Sequence, residues 1–105
     1  WPYMGCMQSD AQLAPLVASL DGATPPKGLS GPLLGVWRAL RGEWDAAHDA
    51  VQDDTVECSW VHAALHREAG DHGNAGYWYR LASRPVAKGD IRVEYLAIAS
   101  ELLNR

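Results

Sequence analysis

The sequence predicts an all-α domain of five or six helices folded as antiparallel helical hairpins. Three observations predict it. Apolar residues recur at three- and four-residue spacing, glycine is followed by an acidic residue at Gly42–Glu43 and again at Gly70–Asp71, and no short apolar run is bounded by hairpin turns.

Ser9, Asp10, Ala11 and Gln12 read as a capping box, in which the Ser and Gln side chains satisfy orphaned backbone donors. A helix is expected from there to about Leu20, with Pro15 delaying its start or kinking it. The stretch DGATPPKGLSG breaks it with paired prolines and three glycines, so residues 1–29 read as an N-terminal segment of one helix and a linker, and residues 30–105 as the helical-hairpin domain. Ser30 is expected to cap the second helix, with Pro32 in its first turn and Gly42 at its end. A third helix is expected from about Glu43 to Asp53. Asp54 with Glu57 reads as a second capping box, opening a helix that reaches Ala69. Asp71 caps a fifth helix that stops before Pro85, and Ile91, Tyr95, Ile98, Ala99 and Leu102 mark a last one from Ile91 to about Asn104.

A chain of 105 residues can bury roughly two thirds of its unfolded surface without metals or disulfides as staples. The formal charge of −4 speaks against nucleic-acid binding, which needs a basic surface to displace counterions. No stretch approaches the ~20 apolar residues of a membrane span. Cys6 and Cys58 are too few and too far apart for a closed zinc site and too few for a secreted disulfide framework, so a reducing cytoplasm is expected. Charge is nevertheless segregated. Residues 43–57 carry six acids and no Lys or Arg, whereas residues 80–92 carry Arg80, Arg84, Lys88 and Arg92 against Asp90, a division that can steer self-association or draw a small anion. The opening WPYMGCMQS lacks an initiating Met, which places the expected natural start elsewhere; were it Met4, MGCMQS would fit a lipidation pattern with Gly5 and Cys6 as acceptors.

Aligning RGEWDAAHDAVQ with AGDHGNAGYWYR superposes Gly42 on Gly70, Glu43 on Asp71 and Ala47 on Ala75. Each unit reads helix, glycine, acidic cap, helix. The second unit resembles the latter half of a tetratricopeptide repeat, with Gly70, Asp71, Ala75, Tyr79 and Ala82 at that family's turn glycine, acid, alanine, aromatic and second alanine. It departs from the family at His62 and Ala63, and in a repeat offset of 28 residues. The resemblance implies tetratricopeptide-like hairpins and a partner-binding role. WVHAALHREAGDHGNAGYWYR also looks like the signature of a family of small bacterial all-helical proteins, a likeness over residues 37 to 84 that implies a fold and no activity.

The same stretch holds the candidate site. On the helix from Val56, Cys58, Val61, Ala64, Leu65 and Ala69 form one apolar arc, with His62 and His66 beside it and four residues apart. On the preceding helix Trp44, Ala47, Ala50 and Val51 form the stripe, bordered by His48. If the turn at Asp53–Thr55 folds these helices back on each other, His48 and His62 reach nearly the same height and three imidazoles converge, with Glu68, Asp49 or Tyr77 as polar neighbours. Imidazole suits zinc and nickel, and a catalytic zinc takes three protein ligands plus water. The spacing HxxxH lacks the glutamate of the zinc-peptidase motif, so it supplies no general base. The competing expectation is that each histidine edges the core and bonds a carbonyl, a Tyr hydroxyl or a carboxylate. His72 is expected to be exposed and Asn74 to lie on the buried side of its helix. Trp78 is expected in the core, while Trp60 and Tyr77 fall outside the dense arcs, where aromatics line pockets or anchor partners.

Two functions follow. The first is a helical domain acting by association with itself or another protein. The second is a metal- or small-ligand-binding protein, enzymatic or not, built on His48, His62 and His66, with Trp60 and Tyr77 as further ligand contacts and Zn or Ni as the metal.

Overall fold

A computed structural model describes residues 3–105, with side chains from residue 11 onward. Its described residues form α1 (Tyr3–Ala18), α2 (Gly31–Leu40), α3 (Trp44–Ala50), α4 (Val56–Glu68), α5 (His72–Leu81) and α6 (Ile91–Leu103), and a 3-10 turn, Ser19–Asp21, closes α1. Among the described residues there is no strand, and no helix is long and apolar enough to cross a membrane. The Cα radius of gyration, 13.1 Å, is that of a compact chain of this length, about 13 Å.

The boundaries correct several expectations. α1 already turns at Tyr3, so Ser9 lies inside it and does not start it; a helix in progress satisfies those donors with its own i→i−4 bonds. The side chains of Met4, Cys6 and Ser9, and so the lipidation pattern, lie outside the described residues. Pro15 is accommodated inside α1 on an exposed position. Ser30 stands at the cap position of α2 with Pro32 in the first turn, yet its side chain makes no capping bond. Gly42 and Gly70 take φ of +80° and +81°, the left-handed conformation that turns the chain out of α2 and α4. α3 ends at Ala50, short of Asp53, because Val51 leaves helical geometry and drops into the core. Thr55, and not Asp54, caps α4, its hydroxyl accepting from the Cys58 amide at 3.1 Å. Asp71 caps α5 as expected.

α4 is the centre of the molecule. Every residue from Cys58 to Leu65 is buried, since α2, α3, α5 and α6 all pack against it. The expected one-sided apolar arc is therefore replaced by a helix enclosed on all sides, which is why small residues (Ser59, Ala63, Ala64) alternate with large ones along it. α2 packs on α3, α4 on α5, and α6 lies against α1, α2 and α4. Trp37 of α2 is wholly buried; its indole donates to Ser19 Oγ at 3.0 Å, and the Arg41 guanidinium, 4.6 Å from the ring, also donates to the carbonyls of Leu20 and Gly22. These contacts tie the N-terminal segment to the second helix.

A polar latch joins the far ends of α4, α5 and α6. The Glu94 carboxylate is buried, accepting from Arg67 Nε at 2.8 Å and from the Tyr79 hydroxyl. Arg67 also donates to the Gly89 carbonyl, and Tyr95 donates to Glu68 at 2.6 Å. Burial first, then the neighbouring carboxylates, push both tyrosine hydroxyls above their usual range, so they remain donors.

Candidate metal centre

The turn of residues 51–55 brings the end of α3 beside α4, and His48 meets His62 there. Their Nε2 atoms are 2.8 Å apart, and the rings cross edge to face with centroids 4.4 Å apart. His66, one turn beyond His62, lies parallel to it at 5.0 Å and edge-on to His48 at 5.4 Å. One ring nitrogen from each of the three histidines falls within 4.8 Å of the others. His62 is buried, while His48 and His66 are half-buried, so the group opens to solvent on one side.

Two tryptophans wall the group. Trp78 of α5 stacks on His62 with centroids 3.9 Å apart and planes 5° from parallel, and Trp44 of α3 stacks on His48 at 4.9 Å while meeting His66 edge-on. Trp44 is held in place by its indole N–H, which donates to the Leu65 carbonyl at 2.8 Å. Trp78 is half-buried and packs against the core as expected, with its ring laid on His62.

Burial, and then the proximity of His48 and His66, lower the His62 pKa to about 4, with a hydrogen bond to the backbone of Val51 opposing them. Burial, and next His48, also lower that of His66, against the pull of Asp71. Near neutral pH, His62 and His66 are therefore uncharged, the state in which imidazole offers a lone pair to a metal.

Other expected neighbours lie elsewhere. Glu68 bonds Tyr95, Asp49 is exposed, and Tyr77, 49% exposed, reaches the group only through Trp78, whose ring it meets edge to face at 5.3 Å. Trp60 is buried beneath the Arg84 guanidinium, 3.8 Å above its ring, and lines a different hollow with Pro85, Ala87, Val93 and Ala97. Asn74 is exposed, not buried: it bonds Asp71 across the turn, where water reaches both. His72 is exposed as expected.

Two polar residues at the group were not foreseen. Asp71 Oδ2 lies 3.9 Å from His66 Nδ1, and the Gln52 amide nitrogen lies 3.1 Å from His48 Nδ1. Spacing held a signal for each, since Gln52 follows His48 by four positions and Asp71 follows His66 across the Gly70 turn.

Three nitrogens bound to one ion at about 2.0–2.1 Å in tetrahedral geometry stand about 3.3 Å apart. The 2.8 Å pair must open slightly and the widest separation close, changes within the reach of χ rotations at half-buried rings. Compared with known proteins, the chain matches no family model, no curated protein and no solved structure.

Proposed function

We propose that this protein binds a single late first-row transition ion, zinc or nickel, through His48, His62 and His66. The observation that carries the reading is the convergence of three ring nitrogens from two helices within 4.8 Å of one another. An all-imidazole set favours such ions over magnesium or calcium, which take oxygen ligands. Further support comes from the atoms behind the rings. Asp71 Oδ2 lies 3.9 Å from His66 Nδ1, near enough that a small rotation would place a carboxylate behind the ring and leave Nε2 for an ion. Three protein ligands leave a fourth position for water or a small ligand, so the same site accommodates either ion storage or hydrolytic chemistry.

Titration of the chelator-treated protein with Zn2+ and Ni2+, followed by gel filtration and metal analysis, tests the reading. It requires one ion per chain in the wild type and none in His66→Ala. No retained ion in the wild type would refute it.

A second reading is association through tetratricopeptide-like helical hairpins. Tyr77 and Leu81 favour it: they are four apart on α5 and 49% and 46% exposed, a pair of large side chains presented to solvent. A single monomeric species at all concentrations in sedimentation, with no partner recovered, would count against it.

A further inference from the structure

Gln52 lies two residues past the end of α3, and its exposed side chain folds back on His48. Its amide nitrogen is 2.7 Å from the His48 carbonyl oxygen. That oxygen only accepts, so the nitrogen end of the amide belongs there. The same nitrogen lies 3.1 Å from His48 Nδ1, and because an amide N–H only donates, Nδ1 is the acceptor. The neutral His48 ring then carries its proton on Nε2 and donates it to His62 Nε2 across 2.8 Å. His62, accepting at Nε2, keeps its own proton on Nδ1.

Consequences for a metal differ among the three rings. His62 already presents a lone pair at Nε2, and His66, whose Nδ1 lies 3.9 Å from the Asp71 carboxylate, has its Nε2 on the other side of the ring. His48 is in the opposite tautomer to His62: the nitrogen it turns to the other imidazoles bears a proton. To ligate, it must lose that proton from Nε2 and gain one on Nδ1 through solvent, with no net release. The new Nδ1–H then points at the Gln52 N–H, donor against donor, until the amide swings away.

We propose that Gln52 is a tautomer gate on the metal site: a positioning residue that holds His48 in its non-ligating form and so sets the affinity below what three free imidazoles would give. This rests on the metal-binding reading above and adds its regulation. Metal entry is coupled to release of the Gln52 side chain.

Two measurements test it on the full chain. In the metal-free protein, long-range 1H–15N correlation spectra of His48 report which ring nitrogen is protonated. The gate requires Nε2 in the wild type and a shift of the proton toward Nδ1 in Gln52→Glu, whose carboxylate accepts there. Competition titration with Zn2+ then compares three proteins. Gln52→Met removes the donor without adding charge and should bind several-fold tighter, and Gln52→Glu about tenfold tighter or more, the usual weight of a partner behind a ligating histidine. A wild-type His48 protonated at Nδ1 overturns the gate, as does a wild type that binds while neither variant binds tighter. Uptake by a variant but not by the wild type overturns the metal reading for the native chain. No uptake by any of the three overturns the metal reading itself, and both results are distinct from the loss of the gate alone.

Discussion

His48 Nε2 and His62 Nε2 face each other at 2.8 Å. Two ring nitrogens this close can share one proton and cannot both carry one, since N–H would then oppose N–H. Trp78 covers the other face of His62, and His66 stands beside it, so a charge on His62 has neither water nor an acid to stabilise it.

Acid should therefore unfold this protein through His62. Its pKa falls from 6.5 in the unfolded chain to about 4 in the native one, so between those values the unfolded state binds more protons. The stability is complete above about pH 6.5 and declines as the pH drops toward 4, by on the order of 3 kcal/mol. His66 shifts in the same direction and steepens the decline, against Asp71. Urea unfolding of the metal-free protein between pH 7.5 and 4.5 measures the slope, and His62→Leu should flatten it. A slope unchanged in that variant assigns the effect to other groups.

Uncovering His62 should restore its basicity. Trp78→Ala removes the ring stacked 3.9 Å from the imidazole, opens that face to water and raises the His62 pKa toward 6.5. The proton chemical shift of its Cε1–H against pH reads the change. The lost stacking costs about 0.5–1.5 kcal/mol beyond the area exposed.

The latch around Glu94 should matter to stability and not to metal uptake. Tyr79→Phe removes a hydrogen bond to a buried carboxylate and should cost about 1.5–3 kcal/mol by urea denaturation. Glu94→Ala leaves the partly buried Arg67 guanidinium without its counter-ion, with Nη2 already lacking a partner, and should cost about 3 kcal/mol. A metal affinity that changes in Tyr79→Phe would tie the latch to the site.

Substitutions at the three histidines should separate stability from binding. His62 is buried and stacked on both faces, so His62→Ala lowers stability along with uptake. His66, with a side chain 13% exposed at the end of α4, can be shortened with less damage. Thermal unfolding beside metal titration resolves the two: His66→Ala should keep most of the stability and lose the ion.

What the sequence revealed was local or periodic. Gly42 and Gly70 end helices because a positive φ is a property of one residue, and His62 and His66 share an edge because i,i+4 spacing on a helix fixes it. His48 reached them because the short turn before α4 leaves little freedom in register. The environment of the site was hidden because it depends on tertiary packing. Nothing in the chain order tells that Trp78 of α5 lies flat on His62, that Trp44 covers His48, or that Trp60, two residues before His62, turns away beneath Arg84. The enclosure of α4 was hidden too, since a helix surrounded by four others needs no polar face, and its sequence shows only a weak one-sided pattern. Cap choice failed where two candidates adjoin: Asp54 and Thr55 both suit the position, and the hydroxyl of Thr55 is the one within reach of the Cys58 amide.

X-ray absorption at the zinc edge of the zinc-loaded protein is the sharpest test that these imidazoles share one ion. Three nitrogen scatterers at about 2.0–2.1 Å, with the outer-shell pattern of imidazole rings, are expected, and no bound zinc in His66→Ala. A first shell of oxygen alone, or of sulfur at about 2.3 Å from a cysteine, would mean that zinc binds elsewhere and that the three rings are packing.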